Sequence, residues 1–381
     1  MHILIAPNSF KNSLPADAAA AAIGRGLQLS NLICTNKCFP VGDGGDGTGD
    51  LLIKHFNAKR IIKKVHDPLG KKIMSSIGIA PASGIAIIEL ADASGLRLIK
   101  KSKYDPLHAT TYGTGELISC ALDNKVKQIL LCIGGSATVD GGIGIIRALG
   151  GKFVDARGKE LKDGPSSLLD LADIDLDYLD KRILDTELII LCDVENKLLG
   201  DKGSAAVFGP QKGASKKDIK KLDACLDQLS KIIDNKTGTD VSKIKYGGAA
   251  GGVAAGLFGL LHAKLVNGVD HFLDITGFDQ ELKIADLVIT GEGSIDKQTL
   301  HGKAPFGVAR RARQNSIPVI AMAGRVPLQP DPQLEEYFDV LLPINHDAID
   351  LDQAMKSTYD NLVRSGRLIG TILSERGIND W

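Results

Sequence analysis

Six short segments of this chain carry hydroxyl, carboxylate or lysine groups after apolar runs, four of them together with glycine. They are Pro7–Lys11, Gly42–Thr48, Gly134–Gly142, Asp193–Asn196, Gly209–Gly213 and Gly291–Asp296. Bare backbone amides where a loop enters a helix bind anions, and glycine lets them approach closely. Gly134–Gly142 has the best composition for phosphate: Gly134 and Gly135 follow the apolar run Gln128–Ile133, Ser136 and Thr138 add hydroxyls, and Asp140 suits a helix N-cap. A tight turn with close helix packing is the competing reading. The segment is not a Walker A loop, since Gly302-Lys303 runs into Ala304, and Gly113-Thr114-Gly115 does not continue as a dinucleotide fingerprint.

Asp43 and Asp46 lie among four glycines, which suits Mg²⁺ held by one or two carboxylates plus substrate phosphates; plain Asp-Gly turns would have the same composition. Phosphoryl transfer needs positioning, cations against the transferring group, and a carboxylate for the acceptor's proton. Lys11, Lys212 and Lys303 each sit in or beside a candidate loop, although any one of them could be a solvated surface charge. Asp193 and Asp296 follow apolar strands and are the candidate proton acceptors, with loop capping as the rival role for Asp193. No G-x-S-x-G elbow, H-E-x-x-H pair or histidine cluster points to a hydrolase or a zinc site.

These loops need a scaffold of strands and helices. Ile3–Ala6 reads as a strand, Ala16–Leu27 as a helix, Leu32–Val41 as a strand and Leu51–Phe56 as a helix. Arg60–Val65, Lys72–Ile79 and Ile85–Leu90 read as strands joined by Pro/Gly turns, followed by a helix at Gly115–Asp123 and a strand at Gln128–Ile133. A helix from Gly141 to Leu149, a strand at Glu187–Cys192 and an amphipathic helix Ser215–Asp234 come next. The doubly wound texture returns with strands at Ala285–Thr290, Pro318–Ala323 and Val340–Pro343 and a helix at Phe306–Gln314. The expected fold is α/β: a flavodoxin-like parallel-sheet domain built from both chain ends (1–60 and 280–381), with a mixed-sheet α/β domain (61–279) inserted. The small-residue stretch Gly247–Gly256 reads as packing rather than as another anion loop.

Composition agrees. Lys+Arg and Asp+Glu both number 46, so no global field favours nucleic acid or an anionic membrane. No apolar run approaches the roughly 20 residues of a membrane span, and the N-terminus lacks a signal pattern, which together read as a cytoplasmic protein. The six cysteines include no C-x-x-C and read as reduced core residues. Glycine, at 43 residues, is the outlier, and it gathers in the loops.

Taken in order, Ile5–Lys11, Gly42–Thr48, Glu89–Leu96, Thr110–Glu116, Gly134–Gly142, Val207–Ala214 and Ala285–Gly293, with Asp296 and Gly302-Lys303, closely resemble the bacterial glycerate kinase family. The chain departs from that pattern at Asn8, where Asp is expected, and at Val139, where Asn is usual. The resemblance implies an ATP-dependent kinase that phosphorylates D-glycerate, most simply at the 2-hydroxyl, in the breakdown of glycolate- or glucarate-type acids. On that reading Gly134, Gly135, Ser136, Thr138 and Lys212 serve the nucleotide, and Asp43 and Asp46 the Mg²⁺. Ser9, Lys11 and Lys303 serve the acid, and Asp296, with Asp193 as its competitor, takes the proton. The alternatives are a non-catalytic sensor of a small acid or nucleotide, or a kinase acting on a related hydroxy acid or on the 3-hydroxyl.

Overall fold

A computed structural model describes residues 1–345 and 350–376, with Gln298, His301 and Arg376 described by backbone alone. The strands among the described residues are β1 His2–Pro7, β2 Thr35–Cys38, β3 Lys59–His66, β4 Lys72–Ala80, β5 Ile85–Glu89, β6 Gln128–Cys132, β7 Lys152–Val154, β8 Asp173–Asp175, β9 Glu187–Cys192, β10 Lys264–Asn267, β11 Leu287–Ser294, β12 Val319–Arg325 and β13 Val340–Pro343. Contacts divide the chain into two units, Met1–Asp43 with Val269–Trp381, and Gly44–Gly268.

The first unit is a five-stranded, all-parallel sheet in the order β13-β12-β11-β1-β2. Counted within the unit, that is the flavodoxin-like order 2-1-3-4-5. The central strands are apolar throughout because helices cover both faces of a parallel sheet: Ile3, Leu4 and Ile5 of β1 and Val288 and Ile289 of β11 are fully buried. Helix Ala16–Gln28 packs against the C-terminal helix Thr358–Arg376. Gly26 permits this, since a Cβ there would lie 2.3 Å from the Val363 carbonyl oxygen.

One strand outruns its sequence expectation. The apolar run stops at Thr290, yet β11 continues through Gly291, Glu292 and Gly293 to Ser294. Its neighbour supplies the reason: β1 pairs only as far as Gly291, but the register with β12 persists to Ser294–Arg325, and that ladder outweighs the weak strand propensity of Gly and Glu. β2 is shorter than the Leu32–Val41 run suggested, because it is an edge strand with one partner.

The second unit is a mixed sheet in the order β10-β9-β6-β5-β4-β3. β3, β4 and β5 form antiparallel pairs, and β5, β6, β9 and β10 run parallel. Helix Thr48–His55, grouped with the first domain in the sequence reading, packs here against β5 and β4. Helix Lys216–Thr237 opens with a capping box between Ser215 and Asp218 and buries Leu222, Leu226, Leu229 and Ile233 along one face. Each such leucine contributes about 2 kcal/mol of apolar burial. The short strands β7, β8 and β10 carry no signal that separates them from loops. All six cysteines are free; four are buried, while Cys38 is exposed on edge strand β2 rather than in the core.

Candidate active site

In the second unit the loops past the carboxyl ends of β5, β6 and β9 are laced together, the position where open α/β sheets bind ligands. Gly134 N–H donates to the Gly44 carbonyl at 3.0 Å, and a Cβ on Gly134 would lie 2.4 Å from the Gly45 Cα. The glycine is therefore required by backbone-on-backbone packing, whatever else it does. Leu96 N–H donates to the Gly135 carbonyl (3.0 Å), Ala137 N–H to the Ser94 carbonyl (2.9 Å), and Gly141 N–H to the Gly251 carbonyl (3.0 Å). Small residues at 247–256 serve the same contact: a Cβ on Gly256 would stand 1.9 Å from the Gly141 carbonyl oxygen.

Lys212 lies inside this lacework. It is only 2% exposed, and its Nζ donates to Ser136 Oγ and to the Thr138 carbonyl, both at 2.7 Å. It is not the solvated surface charge its sequence context allowed. Burial pushes its pKa down to about 7, against the opposing pull of Asp140 and Asp193. Asp140 is fully buried and accepts from Thr111 N–H (2.8 Å), Thr111 Oγ1 (2.8 Å), Gly142 N–H (3.0 Å) and Gly144 N–H (3.3 Å). Burial pushes its carboxyl up, and those four donors oppose the shift. Thr138 Oγ1 is buried with no hydrogen-bond partner among the described residues.

Asp46 pairs with Arg97 at 2.5 Å, and Arg97 also pairs with Asp92. Beside them Glu89, at the end of β5, accepts from Gly47 N–H (2.7 Å) and Gly49 N–H (3.1 Å), so a protein carboxyl fills the N-terminus of helix Thr48–His55. Burial raises Glu89 to about 8; a hydrogen bond with Asp46 and the charge of Asp92 add to the shift, and the Gly47 amide opposes it.

In the first unit a second polar group forms where the strand order reverses between β1 and β11. Asn8 N–H donates to the Gly291 carbonyl (2.8 Å), Asn8 Nδ2 donates to Asp43 Oδ2 (2.7 Å), and Ser9 N–H donates to Asn8 Oδ1 (2.6 Å). Lys11 is exposed on the turn that follows, whose backbone lies beside Gly293. Glu292 is buried and accepts from Thr299 Oγ1 (3.0 Å) and Lys303 Nζ (3.4 Å). Burial lifts its carboxyl to about 7, with Asp43 adding to the shift and Lys303 and Thr299 opposing it. Asp296 donates its backbone N–H to Thr299 Oγ1 at 3.1 Å. Lys303 occupies the N-cap position of helix Ala304–Gln314 without a side-chain capping bond.

The residues expected from the sequence thus fall into two groups. Ser9, Lys11, Asp43, Asp296 and Lys303 belong to the first unit; Asp46, Gly134, Gly135, Ser136, Thr138, Asp193 and Lys212 belong to the second. The sequence reading passed over Glu89 and Glu292 as chemistry. The usable signal was an acid closing an apolar parallel strand. Among the described residues no three His, Cys, Asp or Glu side chains are grouped to hold a metal unaided, and no helix is long and apolar enough to cross a membrane.

A doubly wound sheet with polar loops at its strand ends and a second α/β unit with glycine-rich loops around a buried lysine together suit a phosphotransferase. Residues 3–374 match the glycerate kinase family. The chain is 42% identical to the glycerate kinase of Halalkalibacterium halodurans and 41% identical to the glycerate 2-kinase of Escherichia coli, each alignment covering 98% of both chains. It also superimposes on a crystal structure of a protein assigned as glycerate kinase 2 from Salmonella typhimurium LT2, with a TM-score of 0.83, 38% identity and 98% of each chain covered. The protein is therefore a kinase, and it belongs to the glycerate kinase family.

Proposed function

We propose that the protein transfers the γ-phosphoryl group of ATP to the 2-hydroxyl of D-glycerate, forming 2-phosphoglycerate and ADP during organic acid breakdown. The full-length similarity to the Escherichia coli glycerate 2-kinase carries this reading. The site chemistry supports it. Gly134, Gly135, Ser136 and Thr138 offer amides and hydroxyls to phosphate oxygens, and Lys212 braces that loop from beneath. Ser9, Lys11 and Lys303 offer donors to a small carboxylate.

The donor set also fits Mg²⁺. Asp43 in the first unit offers a hard carboxylate oxygen, and so does Asp46 in the second, where Arg97 shares it; an ion that takes a single carboxylate and completes its shell with phosphates and water needs no larger protein cluster. When bound, Mg²⁺ neutralises phosphate charge. Asp296 and Asp193 each follow the carboxyl end of a parallel strand and supply a proton-accepting group of the right type.

A coupled ADP-release assay with D-glycerate, with and without Mg²⁺, tests the reading. Release that requires both is expected, and phosphorus NMR should show 2-phosphoglycerate as the product. Binding of glycerate or ATP without any turnover would instead identify a sensor, and 3-phosphoglycerate would move the reaction to the other hydroxyl.

A further inference from the structure

We propose that Glu292, rather than Asp296 or Asp193, is the catalytic group that accepts the proton of the acceptor hydroxyl. The proposal rests on the kinase reading above and concerns only the first unit, whose geometry singles out this carboxylate in three ways.

Its place is the first. Glu292 lies near the carboxyl end of β11, the strand beside β1, and in the order β13-β12-β11-β1-β2 the chain reverses direction of winding between those two. That reversal is where a doubly wound sheet opens a crevice for ligands. Asn8 and Ser9, at the end of β1, flank the same point, tied by the Asn8 N–H to Gly291 carbonyl bond.

Its fixation is the second. The β11–β12 ladder holds the backbone of Glu292, whose Cα pairs with that of Ala323, whereas Asp296 lies beyond the end of the strand. Thr299 is fully buried, and its hydroxyl links the Asp296 backbone amide to Glu292 Oε1. Lys303 reaches the same oxygen. Both of these bonds fall on Oε1, so they fix one carboxylate oxygen and leave Oε2 as the atom that would take the proton. A general base must be positioned first and matched in proton affinity second, and burial matches it by lifting this carboxyl towards neutrality.

Its company is the third. Ser9, Lys11 and Lys303, the donors suited to the acid's carboxylate, belong to the same unit as Glu292, while Asp193 belongs to the other. Lys303 beside Glu292 would hold the negative acid next to the carboxylate without leaving two like charges uncompensated.

The step balances. The acceptor oxygen forms a bond to the γ-phosphorus as the bond from that phosphorus to the β,γ-bridging oxygen breaks. The electron pair of the broken bond leaves with ADP, and the hydroxyl proton passes to Glu292. No oxidant or further reactant is required.

The test compares Glu292→Gln, Glu292→Asp and Asp296→Asn with a wild-type enzyme already shown to release ADP in response to glycerate, so that failure of the kinase reading itself is seen first and separately. Glu292→Gln keeps the shape and can still accept from Thr299. Its kcat should fall by about 10²–10⁴-fold, while the KM for glycerate, and the Kd for glycerate measured by titration calorimetry, stay within about threefold. Glu292→Asp should retain at least tenfold more turnover than Glu292→Gln. If the Gln variant fails to fold, the Asp variant decides: a kcat lowered at least tenfold with unchanged glycerate affinity supports the assignment, and an unchanged kcat overturns it. The assignment is also overturned if Glu292→Gln turns over within tenfold of wild type, or if high Mg²⁺ restores its rate, which would make Glu292 a metal holder. A loss of turnover in Asp296→Asn that exceeds the loss in Glu292→Gln would overturn it as well.

Discussion

Replacing Lys212 by Met should make the stability of the second unit less dependent on pH. In the folded chain the ammonium is enclosed between Ser136 and the Thr138 carbonyl, and its pKa falls from 10.5 to about 7. Below about pH 7 the group is protonated in both the folded and the unfolded chain and contributes no slope. Between about pH 7 and pH 10.5 the unfolded chain binds a proton that the folded chain does not, so wild-type stability rises with pH by about 1.4 kcal/mol per unit. From about pH 7.5 to about pH 9 the wild type should therefore gain about 2 kcal/mol on Lys212→Met. The lost bonds to Ser136 and Thr138 add an offset of about 1–3 kcal/mol that pH leaves unchanged. Urea unfolding followed by far-ultraviolet circular dichroism at several pH values separates slope from offset. A difference between the two proteins that stays constant from about pH 7.5 to about pH 9 would refute the claim that this lysine is held in a site that disfavours its charge.

Two further outcomes follow from the same loops. Gly134→Ala forces a Cβ to within 2.4 Å of the Gly45 Cα, where only backbone can give way, and should cost about 1–3 kcal/mol, seen as a lowered melting temperature. Wild-type melting would mean that the loops at Gly44–Gly47 and Gly134–Gly135 separate freely. Asp140→Asn puts an amide NH₂ where a carboxylate oxygen accepted, so at least one of the four donors loses its partner. A loss of about 2–4 kcal/mol in urea unfolding, with weaker ATP binding by calorimetry, is expected. Unchanged stability would show that Asp140 does not anchor the loop.

Much of the scaffold could be read from residue order. Apolar runs such as Ile3–Ala6, Gln128–Ile133 and Glu187–Cys192 mark strands buried on both faces, and the alternation of these runs with helical patterns near both chain ends marks one parallel sheet. The strand end at β11 was illegible, because Gly291-Glu292-Gly293 has the composition of a loop and remains extended through the ladder with β12, β1 pairing only as far as Gly291. For the same reason Glu292 passed as a loop acid, while Glu89 fell within the expected strand Ile85–Leu90 and drew no chemical role. Lys212 stands in a polar segment, Gly209–Gly213, that by itself predicts exposure; residues more than seventy positions away close over it.

The amino-acid order determined which groups are available: glycines where backbones must meet, hydroxyls, lysines and carboxylates after buried strands, and a helix or strand for each apolar pattern. Only the tertiary structure decided what those groups can do. Hydrophobic periodicity is local and is written along the chain, but the proton affinity of an acid or amine depends on how much water its surroundings exclude and which charges stand beside it. For Glu89, Asp140, Lys212 and Glu292 that exclusion comes from segments remote in sequence, so their chemistry emerges when the sheets and loops close around them.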